Sequence, residues 1–322
     1  MSRRLCLRAF LLSFLLLTTG LDALAKGGNV EVGLLSDQSV VLPGRPFYVG
    51  VRMKIREGWH TYWKNPGDSG LPPRISWTLP EGFVAGPLEW PIPERFADQA
   101  LMTYGYRREV LFPVRITPPM TIRADSVTIA GKIDWLECKD VCLPGSAALR
   151  LSLPVSAKPG VPGPDARALA AALARVPRPP AGWSLSAEAG PRAIALTFVP
   201  PTGITPRGAY FFVDQPLVTE HAAPQGFERA GDRYRVTMSP AVNASRNLAR
   251  LTGVLIVGSS GALRPQNAVQ VDVPVIWGGN PAPAPRQRAG LPVVAYAGVI
   301  GMVGLALALI MRGILSRKSK HT

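Results

Sequence analysis

Residues 127–155 read VTIAGKIDWLECKDVCLPGSAALRLSLPV, and this stretch decides the fold. Val127 to Ile133 and Ala148 to Val155 are apolar, β-branched or alternating runs, the pattern of half-buried strands. Between them lie Cys138 and Cys142. Working outward, Val40 to Leu42, Phe47 to Met53 and Val110 to Ile116 share this texture, and Gly44, Pro72, Pro80, Gly86, Pro91 and Pro93 mark turns between runs. Many short strands with frequent turns and no alternation with helices predict a sandwich or barrel over residues 26–157.

A different texture follows. Residues 158–180 form a linker, Pro/Gly-rich at first and then DARALAAALARV over residues 165–176, an Ala/Leu helix with Asp165 as its N-cap. Pro177, Pro179 and Pro180 stop it. Strand-like text resumes at Trp183 to Ala187, Ala193 to Val199, Ala209 to Val213, Tyr234 to Met238, Leu251 to Val257 and Val271 to Trp277. That suffices for a second β-sandwich over residues 181–277. The expected fold class is therefore all-β: two tandem sandwiches joined by a short helix.

The ends predict export and anchoring. Arg3, Arg4 and Arg8 precede an apolar run from Ala9 to Thr18, and Ala23-Leu24-Ala25 forms an A-x-A site, so residues 1–25 read as a secretory signal. Residues 278–290 are a Pro/Ala-rich stalk. Residues 291–311 carry no charge and are long enough to span a bilayer, and Arg312, Arg317, Lys318 and Lys320 in the tail 312–322 keep that end cytoplasmic. The expectation is a single-pass protein with its main domain outside the cytoplasm.

The formal charge is +15. Leaving out Arg3, Arg4, Arg8 and Asp22 removes two units and the four tail cations remove four more, so the exported part carries +9. It has no dense Lys/Arg cluster interleaved with aromatics, and nucleic acid is not an expected partner.

Cys6 leaves with the signal, so the mature chain keeps two cysteines. An oxidising compartment allows them to pair. Four positions apart, they cannot meet along a flat strand, but a turn or bulge between them brings the sulfurs together. Closing so small a ring gains only about 2 kcal/mol in the chain-entropy model. A bond of such low structural value suits exchange better than stapling. Two other readings stay open: a local brace, and a Cu(I) site using both thiolates, with Met102 as a further ligand. Zinc lacks ligands, since only His60 and His221 remain in the exported region, and no bound metal or other cofactor is expected. His221, in a Pro/Gly-rich loop, reads as a solvated surface residue.

Two other segments stand out. In WHTYWKNPGDSG, residues 59–70, a strand ending in a turn puts His60 and Tyr62 on one face and Trp59, Thr61 and Trp63 on the other. In PERFAD, residues 93–98, Phe96 sits on an irregular segment, either packing on its own domain or covering a reactive disulfide.

The segments REGWHTYWKNPGDSGLPP, LEWPIPERF, TYGYRREVLFPV and IDWLECKDVCLPG, in this order, resemble the amino-terminal periplasmic domain of DsbD-type thiol:disulfide interchange proteins. The variant is the two-sandwich form of the suppressor-of-copper-sensitivity relatives, and the resemblance covers about residues 30 to 277. It implies an immunoglobulin-like domain in the periplasm, held at the inner membrane, with Cys138 and Cys142 as a redox pair on a hairpin. Phe96 would shield the disulfide until a partner docks, and His60 and Tyr62 would lie beside the pair. The implied partners are periplasmic thioredoxin-like or disulfide-isomerase proteins and a membrane electron relay. With one apolar span and no second cysteine pair here, that relay is expected to be separately encoded.

Overall fold

Alternation fixes the two longest strands of the computed structural model, which describes residues 25–98, 101–244, 248–258 and 267–278. Val127, Ile129, Ile133 and Trp135 point inward from one strand, and Ala147, Leu149, Leu151 and Leu153 from the next. Lys132, Asp134, Arg150 and Ser152 take the solvent side.

The strands are β1 (Ala25–Gly27), β2 (Val30–Ser36), β3 (Phe47–Ile55), β4 (Thr61–Gly67), β5 (Arg74–Thr78), β6 (Val84–Leu88), β7 (Glu94–Asp98), β8 (Leu101–Tyr106), β9 (Glu109–Thr117), β10 (Ser126–Cys138) and β11 (Cys142–Pro154). After helix α1 (Ala166–Leu173) come β12 (Ser184–Ala189), β13 (Ile194–Val199), β14 (Gly208–Val213), β15 (Gly226–Ala230), β16 (Arg233–Met238), β17 (Arg250–Gly258) and β18 (Ala268–Trp277).

The first unit holds a five-stranded sheet, β1-β2-β3-β9-β6, and two three-stranded sheets, β11-β10-β5 and β4-β8-β7. They enclose a core that includes Val49, Val51, Trp63, Phe112, Val114, Ile129, Ile133 and Leu149. The second unit orders its strands β14-β17-β18-β12-β13-β16-β15. Its core includes Leu196, Phe198, Phe211, Val236, Leu255 and Val271. β18 joins its two faces, pairing antiparallel with β17 as far as Pro274 and then parallel with β12 from Val275. Proline donates no backbone hydrogen bond, which suits the point where β18 changes partners. The first core does not stop at the seam: Tyr210, Phe212, Val254 and Ile256 of the second unit belong to it.

The described residues are all-β apart from α1, as read from the sequence, with differences in detail. Residues 40–42 make only an isolated bridge, Val41 to Val155. The helix is shorter than the run 165–176, and Asp165 stands at its N-cap without a side-chain cap bond. Its Leu169 and Ala172 pack on Leu35 and Leu111, so the connector is docked on the first unit. The expected stalk beyond Gly278, the apolar span, the tail and nearly all of the signal lie outside the described residues. Among the described residues no helix is long and apolar enough to cross a membrane.

Candidate functional site

β10 pairs with β5 only as far as Asp134, opposite Arg74, so its last residues leave β5 behind and run on paired with β11. The final cross-strand pair of this arm is Cys138 opposite Cys142, closed by the turn residues Lys139, Asp140 and Val141. The two sulfurs are bonded, with the Cα atoms 4.2 Å apart. The turn thus supplies the bend that spacing demanded.

β4 secures the other flank of the arm. The Cys138 amide donates to the His60 carbonyl at 3.0 Å, and the His60 amide donates to the Cys138 carbonyl at 2.9 Å. The Thr61 hydroxyl donates to the Leu136 carbonyl at 3.1 Å. This docking leaves the two cysteines unlike: Cys138 is buried and Cys142 exposed.

The Tyr62 hydroxyl lies 2.7 Å from Cys138 Sγ and 3.4 Å from Cys142 Sγ. Burial pushes the Tyr62 phenol above its ordinary value, so it keeps its proton and can donate it to sulfur. The ring is seated by Gly70, whose φ of 109° suits glycine and where any Cβ would overlap Tyr62. His60 meets Tyr62 edge-on at 5.2 Å, and Phe96 lies 4.9 Å from His60. The Arg107 guanidinium caps Phe96 at 4.1 Å. A file of side chains therefore runs from Arg107 through Phe96, His60 and Tyr62 to the sulfurs.

Phe96 corrects one expectation. It is not on an irregular segment but in β7, buried, because β7 pairs with β8 from Glu94 to Asp98. Met102 is a partly buried residue packed on the first core. Among the described residues there is no cluster of His, Cys, Asp and Glu able to hold a metal ion.

Sequence reasoning missed what holds the arm in place. Glu137 is buried and accepts hydrogen bonds from the Asn29 amide at 2.9 Å, Asn29 Nδ2 at 3.0 Å and Trp135 Nε1 at 3.1 Å. A buried carboxylate so satisfied pins the arm to the edge of the five-stranded sheet. The signal was a charge on the inward register of β10, two residues after Trp135.

The seam to the second unit was also missed. Lys64 pairs with Asp214 at 2.8 Å, and Asn65 Nδ2 donates to the carbonyls of Val213 at 2.7 Å and Gln215 at 3.3 Å. The Tyr104 and Tyr210 hydroxyls are 2.9 Å apart, and Arg95 lies 4.1 Å over the Tyr210 ring. His221 Nδ1 is 3.3 Å from the Tyr104 hydroxyl. His221 is buried, not solvated: its loop folds into the seam, which lone-residue composition cannot reveal.

Beside the arm, Leu71, Pro72, Trp135, Leu136 and Pro144 line an open cavity of about 660 Å³. Leu71, Val141 and Leu143 are exposed around it and the disulfide. Such an apolar rim is what a protein partner covers.

Fold and site define a class: a β-sandwich that offers a disulfide at the end of a two-stranded arm. Residues 31–154 match the family described as thiol:disulfide interchange protein DsbD, N-terminal. The match covers the cysteine-bearing unit, which is therefore similar to the N-terminal domain of that family. No curated protein matches the chain in sequence. Among solved structures, the N-terminal periplasmic domain of ScsB from Proteus mirabilis matches with a TM-score of 0.56 at 21% identity, over 77% of this chain and 94% of that one. That likeness is one of fold. Spo0M, a sporulation control protein from Bacillus subtilis, matches with a TM-score of 0.21 at 12% identity, over 76% and 91% of the two chains. A conserved domain protein from Bacillus anthracis gives 0.25 and 11%, over 78% and 87%. Scores that low carry nothing further.

Proposed function

We propose that this chain is a periplasmic, membrane-anchored exchange module that passes reducing equivalents between a separately encoded membrane relay and thioredoxin-like partners. The observation that carries this reading is the asymmetry of the pair: Cys142 is exposed, while Cys138 is buried with the Tyr62 hydroxyl 2.7 Å from its sulfur. A partner's thiolate attacks Cys142 Sγ, forming a mixed disulfide and breaking the Cys138–Cys142 bond. The electron pair of that bond goes to Cys138 as a thiolate, which Tyr62 stabilises by its hydrogen bond. The partner's second thiolate then attacks its own half of the mixed disulfide, so the partner ends oxidised and this chain reduced. The reverse sequence hands the two electrons on.

Phe96 and His60 serve in this reading as the cover over Tyr62 and the buried sulfur, and the rim of Leu71, Val141 and Leu143 as the partner's landing surface. The test is covalent trapping in the periplasm. Cys138→Ser leaves Cys142 to form a stable mixed disulfide with the partner, whereas Cys142→Ser does not, and both abolish electron transfer. If both variants keep full transfer activity, the reading fails. It also fails, in favour of a brace, if the reduction potential lies far below about −300 mV.

A further inference from the structure

The second unit ends in an apolar surface that the exchange site does not use. Val242 is 91% exposed, Leu217 70% and Trp277 39%. Leu217, Val242 and Trp277 are not scattered, since together with Ile194, Val218 and Leu248 they line one open cavity of about 360 Å³. Leu217 has a φ of 58°, a left-handed backbone that a leucine rarely adopts, and it holds this large side chain out toward solvent. Exposure and backbone both run against the ordinary preferences of leucine. The Trp277 indole N–H is satisfied by the Leu248 carbonyl at 2.8 Å, leaving its ring half open.

The position of this surface names its occupant. Trp277 closes the last described strand. Twelve residues, 279–290, rich in proline and alanine, separate Gly278 from the uncharged stretch 291–311. A chain of twelve residues can span at most about 43 Å. A bilayer holding residues 291–311 is therefore always within reach of this end of the molecule. Tethering makes even a weak apolar contact frequent, because the second encounter becomes intramolecular. Tryptophan with its N–H bonded and its ring open, beside bare aliphatic side chains, suits the boundary between headgroups and acyl chains.

We infer that Leu217, Val242 and Trp277 form a surface that rests on the lipid bilayer. The contact gives the exchange module a fixed orientation over the membrane instead of a free swing on its stalk. This inference rests on the anchoring proposed above, and the experiment separates the two. The full chain is reconstituted into vesicles of phosphatidylcholine and phosphatidylglycerol, with or without acyl chains brominated close to the glycerol. Trp277 emission is taken as the difference between the chain and Trp277→Phe. Brominated lipid is expected to quench most of that difference. In a Leu217→Asp/Val242→Asp variant the quenching is expected to vanish, while the protein still floats with the vesicles and its disulfide reacts as before. A floating chain whose Trp277 emission ignores brominated lipid overturns the inference and leaves anchoring standing. Persistent quenching in the double variant also overturns it, as does protection of Trp277 by a cross-linkable second copy. A chain that does not float at all overturns the anchor and the inference together.

Discussion

Lys64 Nζ lies 2.8 Å from Asp214 Oδ2, an ion pair that binds β4 of the first unit to the segment following β14 of the second. Two residues before Lys64 on that strand, Tyr62 reaches the sulfurs. The second unit, to which sequence reasoning gave no task, thus buttresses the strand that supplies the hydroxyl donor to the Cys138 sulfur.

The pair is asymmetric, and its asymmetry is testable. Burial raises the Asp214 carboxyl above its ordinary value, although Lys64 pulls it back, and Asp214 Oδ1 is buried without a partner. With its folded pKa above its unfolded one, the carboxylate favours folding less as pH rises through the carboxyl range. Asp214→Asn is therefore expected to stay within about 1 kcal/mol of the parent at pH 7, since a neutral amide suffers less from desolvation. Lys64→Met strands the carboxylate and should cost roughly 1–3 kcal/mol. Denaturant unfolding of the two variants checks this, and a costlier Asp214→Asn would sink it.

Tyr62→Phe removes one hydroxyl from a buried ring and little volume. Stability should change by about 1 kcal/mol at most, the net worth of one hydrogen bond. The Cys138 thiolate, however, loses a charge-assisted bond of about 1.5–3 kcal/mol, so its pKa should rise by about one to two units. The pH dependence of alkylation in the reduced protein reads this directly. An unchanged profile would mean that Tyr62 only fills space.

Much of this was legible in the sequence, because alternation survives wherever one face of a strand is buried. β3, β9, β10 and β11 all announced themselves in that way, and each runs longer than its apolar run. The bend at Lys139 to Val141 followed from the spacing of two sulfurs alone. β7 was hidden because Pro91 and Pro93 read as turn markers, and only its pairing with β8 makes it a strand. Glu137, Asn65 and His221 were hidden for a related reason. Each is polar and buried, and each draws a partner from far along the chain: Asn29 for Glu137, Val213 for Asn65 and Tyr104 for His221, between 108 and 148 residues away. No local pattern carries that information.

Gly70→Ala should reproduce part of the Tyr62 effect by displacement rather than deletion. The new Cβ would meet the Tyr62 ring at a φ of 109°, a conformation alanine avoids. A loss of about 2–3 kcal/mol in stability is expected, at the upper end for single substitutions. Because both changes act through one hydroxyl, the Gly70→Ala/Tyr62→Phe double variant should show no further shift in thiol reactivity beyond Tyr62→Phe. Additive shifts in that cycle would separate Gly70 from the site.

His221 should make the seam sensitive to acid. Burial lowers its pKa below the ordinary 6.5, while Asp68 and Glu220 oppose that shift. A histidine whose folded pKa lies below its unfolded one binds fewer protons when folded, so its contribution is complete above the unfolded value and is lost as pH falls below it. Stability should therefore fall as pH drops from 7 toward 5 more steeply than the carboxylates alone require, with Tyr104 and its bond to Tyr210 disturbed first. His221→Gln keeps a polar group at Tyr104 but cannot titrate, so its unfolding free energy should vary less over the same window. Parallel pH curves for the parent and His221→Gln would show that protonation of His221 does not reach the seam.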